Sequence, residues 1–210
     1  MKKEETEIII KKLKEAYPDA KCSLNFETPF QMLFAVVLSA QCTDERVNKV
    51  TPEIFKRYPE AKDIANLSEA ELETLIKSCG FYKTKSKNLK RTAEILVKDY
   101  NGKVPQSIEE LIKLPGVGRK CANVIMLEAF NNPQGIAVDT HCKRVSNRVG
   151  FSNKSQPEKI EEELLKIIPK KYYKDVNHLF IWHGRKVCTA QNPKCDKCPI
   201  KEYCAMQKKE

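Results

Sequence analysis

Two groups of residues in this 210-residue chain have the side chains and spacing to do chemistry. The first ends the string Leu114-Pro115-Gly116-Val117-Gly118-Arg119-Lys120, where Lys120 offers an amine, and Asp139 follows in Ala137-Val138-Asp139-Thr140-His141. A neutral amine can attack an electrophilic carbon. A lysine of reference pKa about 10.4 is neutral in only about one molecule in 2,500 at pH 7, so a nucleophilic lysine needs a lowered value. A helix N-terminus disfavours the ammonium by at most about 2 kcal/mol, whereas reaching about 7 or 8 requires about 3 to 5 kcal/mol. Partial burial of Lys120 is expected to supply the difference.

The second group is Cys188, Cys195, Cys198 and Cys204, spaced C-x6-C-x2-C-x5-C with Pro193 and Pro199 inside the loop. Four thiolates this close call for a metal. Four-cysteine zinc sites usually present two C-x2-C pairs and this loop has one, but an iron-sulfur cluster also takes four thiolates, so spacing alone leaves the two even. Cys22, Cys42, Cys79, Cys121 and Cys142 fall in or beside helical segments and read as small core residues. An odd count of nine, with four grouped at the C-terminus, favours a metal site in a reducing compartment over disulfides.

The elements that must position Lys120 are two helices. Ser107 and Glu110 form a capping box ahead of Ile108, Leu111, Ile112 and Leu114, so a short helix is expected to end near Lys113. Pro115 breaks it, Gly116 and Gly118 permit a tight turn, and helical spacing resumes at Cys121, Ala122, Val124, Ile125, Leu127 and Phe130. The amides at Gly116, Val117, Gly118 and Arg119, opening the second helix, suit a backbone phosphate, read by shape and charge. A bare Pro-Gly-x-Gly is more often a plain turn between packed helices. Asp139 caps a helix running through Arg148, a role compatible with chemistry because capping fixes the carboxylate.

Along the rest of the chain, Glu4 to Tyr17 is an amphipathic helix with a stripe at Ile9, Leu13, Ala16 and Tyr17. Thr28 and Pro29 start an all-round apolar, hence central, helix from Phe30 to Ser39. Thr51-Pro52 is expected to cap a short helix, Ser68 and Glu71 to box another, and Gly80 to close it. Phe81 and Tyr82 then open a basic run of Lys83, Lys85, Lys87, Lys90 and Arg91, of which Lys90 and Arg91 read as a solvated face. Asn131 to Gly135 is a crossover, and helices follow over Glu158 to Ile168 and Tyr172 to Val187. His178 and His183 on the last helix read as structural polar residues, and His141 as a weak site candidate. No segment alternates as a strand, so the chain is all-α.

Lysines and arginines exceed acids by 38 − 28 = 10, a balance that suits a polyanionic partner. Phe30 to Ala40 is too short to span a membrane, and the charged N-terminus lacks an apolar signal core, so a cytoplasmic protein with no membrane partner is expected.

The hairpin string, the later Asp139 and the cysteine spacing after Trp182-His183-Gly184-Arg185 together resemble the endonuclease III family of helix-hairpin-helix DNA glycosylases, over nearly the whole chain. The resemblance implies a helical barrel domain over 22–132, with the helix-hairpin-helix at about 107–130. It further implies a [4Fe-4S] cluster domain made of 1–21 and 133–210, and a DNA-binding cleft between the two. It implies Cys188, Cys195, Cys198 and Cys204 as cluster ligands, and Lys194 as a charge presented to phosphate. Gln41 matches the residue that fills the gap after base extrusion, and Phe81 the hydrophobic wedge.

The implied activity is that of a bifunctional glycosylase and AP lyase, nucleoid-associated and acting as a monomer on damaged double-stranded DNA. Lys120 is its Schiff-base nucleophile and Asp139 its electrostatic partner. A monofunctional mismatch glycosylase is the near alternative, disfavoured by Lys120, by the missing acid in Phe34 to Leu38 and by the lack of room for a further recognition domain after Cys204. A non-catalytic DNA-binding module would need neither Lys120 nor Asp139.

Overall fold

In the computed structural model, which describes residues 3–207, the chain forms eleven α-helices and no strand among the described residues. They are α1 Lys3–Ala16, α2 Pro29–Ser39, α3 Asp44–Arg57, α4 Ala61–Asn66, α5 Glu69–Ile76, α6 Tyr82–Tyr100, α7 Ile108–Leu111, α8 Arg119–Phe130, α9 Thr140–Val149, α10 Pro157–Ile167 and α11 Tyr173–Lys186. Single 3-10 turns cover Lys170–Tyr172, Cys195–Lys197 and Lys201–Tyr203. The helices group into two compact units, one over Ser23–Asn132 and one joining the N-terminal segment through Cys22 to the chain from Pro133 onward.

The Ser23–Asn132 unit is built round α2. Thr28 accepts the Gln31 amide at 3.2 Å and Pro29 occupies the first turn, so the helix starts where local chemistry dictates. Phe30 to Leu38 are all buried, and α3, α6 and α8 pack around them. The Phe34 ring meets Phe30 and Phe55 edge-on at 6.2 and 5.7 Å between centroids.

Two expectations are corrected in this unit and one helix is added. Thr51-Pro52 does not start a helix: α3 runs on with Pro52 inside it, and Thr51 donates to the Val47 carbonyl at 3.1 Å. Burial of Val47, Thr51 and Ile54 on one face outweighs the roughly 3 kcal/mol that an interior proline costs. Next, α4 enters unforeseen, through a capping box formed by Glu60 and Asp63. Last, α5 begins at the expected Ser68–Glu71 box but ends at Ile76, and a turn closed by Cys79 N–H to Ile76 C=O at 2.8 Å leads to Gly80.

In the second unit Ile9, Ile10, Leu13 and Tyr17 of the N-terminal segment are buried with Val145 and Val149 of α9, Leu164 of α10 and Val176, Leu179 and Phe180 of α11. Ala16 is exposed, and Ile10 takes its expected place. Phe151 stacks on Phe180 at 5.7 Å. After the cysteine loop the chain is pinned back on α9, where the Ala205 and Met206 amides donate to Val149 and Arg148 carbonyls at 3.1 and 3.0 Å.

Candidate active site and cysteine loop

The helix-hairpin-helix forms from α7, the turn and α8, with two differences from the expected chemistry. Ser107 accepts the Glu110 amide at 3.2 Å, but the Glu110 carboxylate turns away to Tyr100 and Lys113, each at 2.5 Å, so only half the box exists. The two glycines also differ. Gly116 sits at φ +81, where a Cβ would meet Asn88 and Val37 at 3.1 to 3.3 Å, so both backbone and space demand glycine. Gly118 is extended and caps α8 with no side-chain bond, and nothing lies within 4 Å of its missing Cβ. That open face leaves room for a ligand to reach the backbone. Val117 is buried, so only its backbone is on offer, while Thr92 holds the turn through the Pro115 carbonyl at 3.0 Å.

Lys120, at the second position of α8, is exposed, as is Arg119. The expected burial of Lys120 is therefore not supplied by its own unit. Any desolvation of its amine has to come from what binds there.

Gln41 and Phe81 each stand at a tight corner. Both are exposed, Phe81 at 66%, and both adopt left-handed backbone at φ 52 and 56, a conformation costing non-glycine residues about 1 to 2 kcal/mol. The two corners abut, since a Cβ on Gly80 would lie 3.4 Å from the Gln41 carbonyl oxygen. Beneath them is Lys85, 5% exposed, whose ammonium donates to the Leu38 carbonyl at the end of α2 at 2.8 Å. Burial holds Lys85 below the usual lysine pKa, with the Cys42 and Cys79 thiols opposing the shift, and burial lifts Cys79 to about 11. Lys90 likewise is no solvated charge, because it donates to the Ala65 and Leu67 carbonyls that end α4, at 2.9 and 2.6 Å.

In the second unit Asp139 caps α9, accepting the Cys142 amide at 2.7 Å. This fixes one carboxylate oxygen on the backbone. Behind it Arg144 bonds His141 Nδ1 at 3.1 Å and the Gly184 and Cys188 carbonyls at 2.9 Å each. Burial, followed by the nearby Arg144 and Arg185 charges, lowers the His141 pKa against an opposing pull from Asp139. Arg144 thus ties the α9 start to the entrance of the cysteine loop, a link between residues 44 apart that no local pattern announces.

Cys188, Cys195, Cys198 and Cys204 line one small cavity with Val149, His183, Pro193 and Ile200. Among the described residues no three metal-binding groups gather tightly enough for a single ion. Four thiols spread round one largely apolar void fit a polynuclear cluster better than a lone zinc, and the residues present fit that group. Arg148 donates to Cys188 Sγ at 3.5 Å and to the Thr189 and Ala190 carbonyls at 2.6 and 2.9 Å. Lys194 is exposed on the loop. His183 is a structural polar residue as expected, and its ring joins Tyr17 to Cys198. Burial takes it down to about 4 and lifts Tyr17 to about 12. Of the other cysteines, Cys79 and Cys142 are core residues as expected, whereas Cys22, Cys42 and Cys121 are only half-buried.

The fold and hairpin define a class. Residues 34–170 match the family of HhH-GPD superfamily base excision DNA repair proteins, and residues 188–204, bounded by the first and last loop cysteines, match the iron-sulfur binding domain of endonuclease III. The chain belongs to the endonuclease III family and carries that family's [4Fe-4S] cluster. It is 47% identical to endonuclease III of Synechocystis over 97% of this chain and 92% of that one, and 44% identical to endonuclease III of Escherichia coli K12 over 96% and 95%. A solved endonuclease III–DNA covalent intermediate superposes with a TM-score of 0.92 at 43% identity, covering 100% of this chain and 98% of that chain.

Proposed function

We propose that this protein is a base excision repair DNA glycosylase and AP lyase that removes oxidised pyrimidines from duplex DNA. The observation that carries the reading is Lys120, an exposed amine at the start of α8, where no side chain caps the helix, beside an open glycine. The similarity to an endonuclease III trapped covalently on DNA supports it.

In this reading the amides of Gly116 to Arg119 and the charge of Lys194 hold backbone phosphate. Phe81 wedges into the stack, the damaged base swings out, and Gln41 fills the gap. Lys120 Nζ attacks C1′ of the deoxyribose and the base leaves with the bond's electron pair. The ring opens to a Schiff base, a C2′ proton is removed, and the C3′–O bond breaks, cutting the strand 3′ to the lesion. Asp139, held by its cap, stabilises positive charge on the sugar and assists proton transfer. Cys188, Cys195, Cys198 and Cys204 hold the cluster, which supplies rigidity to the loop and performs no hydrolysis. Desolvation of Lys120 comes from the bound duplex. In this reading the protein acts as a monomer in the cytoplasm; among the described residues no helix is long and apolar enough to cross a membrane.

Borohydride trapping on duplex DNA with one thymine glycol, run beside Lys120→Gln, tests this. Wild type is expected to give a covalent adduct and the variant none, with damaged-DNA binding retained. Base release without an adduct would move the protein to monofunctional chemistry, and neither release nor adduct would point to a binding module.

A further inference from the structure

His183 lies on α11 with 1% exposure, and both of its ring nitrogens are occupied. Nδ1 is 2.9 Å from the Tyr17 hydroxyl and Nε2 is 3.7 Å from Cys198 Sγ. Tyr17, at the end of the N-terminal helix, is itself buried, its ring 5.8 Å from the imidazole, and Lys186 covers it from outside at 5.8 Å. A buried imidazole between a phenol and a sulfur has its proton positions set by those two neighbours.

We propose that Tyr17 and His183 form a hydrogen-bond relay that ends on the cluster ligand Cys198 and tunes the cluster's reduction potential. The inference rests on Cys198 being a ligand but not on the Lys120 chemistry. A sulfur bound to iron is a thiolate and has no proton to give. The contact at 3.7 Å is therefore favourable only with the hydrogen on Nε2, so the imidazole donates to sulfur. Nδ1 then accepts the single proton of the Tyr17 hydroxyl, which selects that tautomer and fixes the ring plane. A donor on a cluster sulfur draws electron density from it and favours the reduced, more electron-rich state. Tyr17 and His183 are positioning residues in this scheme, since neither approaches DNA chemistry.

The test uses full-length holoprotein of four kinds: wild type, Tyr17→Phe, His183→Gln and His183→Leu. Iron and sulfide content are measured first, with Cys198→Ser as the ligand control. If Cys198→Ser retains a wild-type cluster spectrum, the ligand assignment fails, and the relay with it. The readouts are the cluster's one-electron potential by film voltammetry and the deuterium sensitivity of its Fe–S(Cys) stretch by resonance Raman. Tyr17→Phe keeps the ring packing and is expected to lower the reduction equilibrium constant several-fold. His183→Leu should lower it about tenfold, or about 59 mV for one electron. His183→Gln, which keeps an N–H donor, should lie between wild type and leucine. Deuterium sensitivity should fall in the same order. Fully loaded Tyr17→Phe with the wild-type potential and the wild-type deuterium shift would overturn the proposal, whether or not the leucine variant loads its cluster.

Discussion

Lys85 donates its buried ammonium to the carbonyl of Leu38 at 2.8 Å, joining the start of α6 to the end of α2 directly under the Gln41 and Phe81 corners. The bond carries a cation to a helix C-terminus, where the dipole favours it, but burial of that cation costs free energy. Replacing Lys85 by Met keeps the stem's apolar volume, removes the desolvation cost and leaves one carbonyl unpaired. The two effects nearly offset, so urea unfolding should shift by no more than about 1 kcal/mol. Excision should respond much more, because the Gln41 corner loses its strut, with kcat/KM on a thymine glycol duplex falling about tenfold. A loss of several kcal/mol in the urea melt would instead make Lys85 a plain core residue.

Phe81 puts stability and function in opposition. Its ring is 66% exposed and its backbone left-handed at φ 56. Phe81→Gly removes the backbone penalty and should stabilise the protein by about 1 kcal/mol, whereas Phe81→Ala keeps that penalty and should be nearly neutral. Both lose the side chain proposed to wedge into the base stack. Excision from duplex should fall about tenfold in each, with much less effect where the target nucleotide is already unpaired. Equal losses on paired and unpaired targets would remove Phe81 from base extrusion.

What the chain reveals without its structure follows the range of each interaction. Thr28-Pro29, Ser68-Glu71 and the Asp139 cap act within three residues, so the starts of α2, α5 and α9 could be read directly. The continuous α3 could not, because the packing of Val47, Thr51 and Ile54 decides against the local signal of Pro52. Lys85 looked like one charge in a basic run until an acceptor 47 residues away buried it. The structural role of His183 was legible but its partner was not, because Tyr17 lies 166 residues back. Lys120 shows a further limit, since exposure of its side chain depends on packing that residue spacing does not report.

The hairpin glycines should separate by experiment. Gly116→Ala forces a side chain onto φ +81 and against Asn88 and Val37, so a loss of about 1 to 3 kcal/mol is expected. Gly118→Ala meets open space at an ordinary φ and should leave stability unchanged or raise it by up to about 1 kcal/mol. Its cost falls on binding, because the added methyl takes the face open to a phosphate. Titrations across a salt series should show weaker binding for Gly118→Ala, with a shallower salt slope if a phosphate contact is lost. Unaltered binding would show that phosphate approaches elsewhere.

The seam between α9 and α11 should make the second unit sensitive to acid. Burial lowers the pKa of His141 from 6.5, and it lowers that of His183 to about 4. For a group whose folded value is lowered, stability is fully present above the unfolded value, here about 6.5, and is lost as pH falls toward the folded value. Between those limits the unfolded chain binds protons that the folded chain refuses. His183 gives a slope approaching one proton, about 1.4 kcal/mol per pH unit, His141 adds to it in the same direction, and His141→Asn should remove that addition. Protonating His141 would also set an N–H against the Arg144 guanidinium, 3.1 Å away, two residues from the catalytic candidate Asp139. Urea unfolding of the holoprotein from pH 7.5 to 5 should therefore show a steeper loss in wild type than in His141→Asn. Parallel curves would assign the acid lability to groups other than His141.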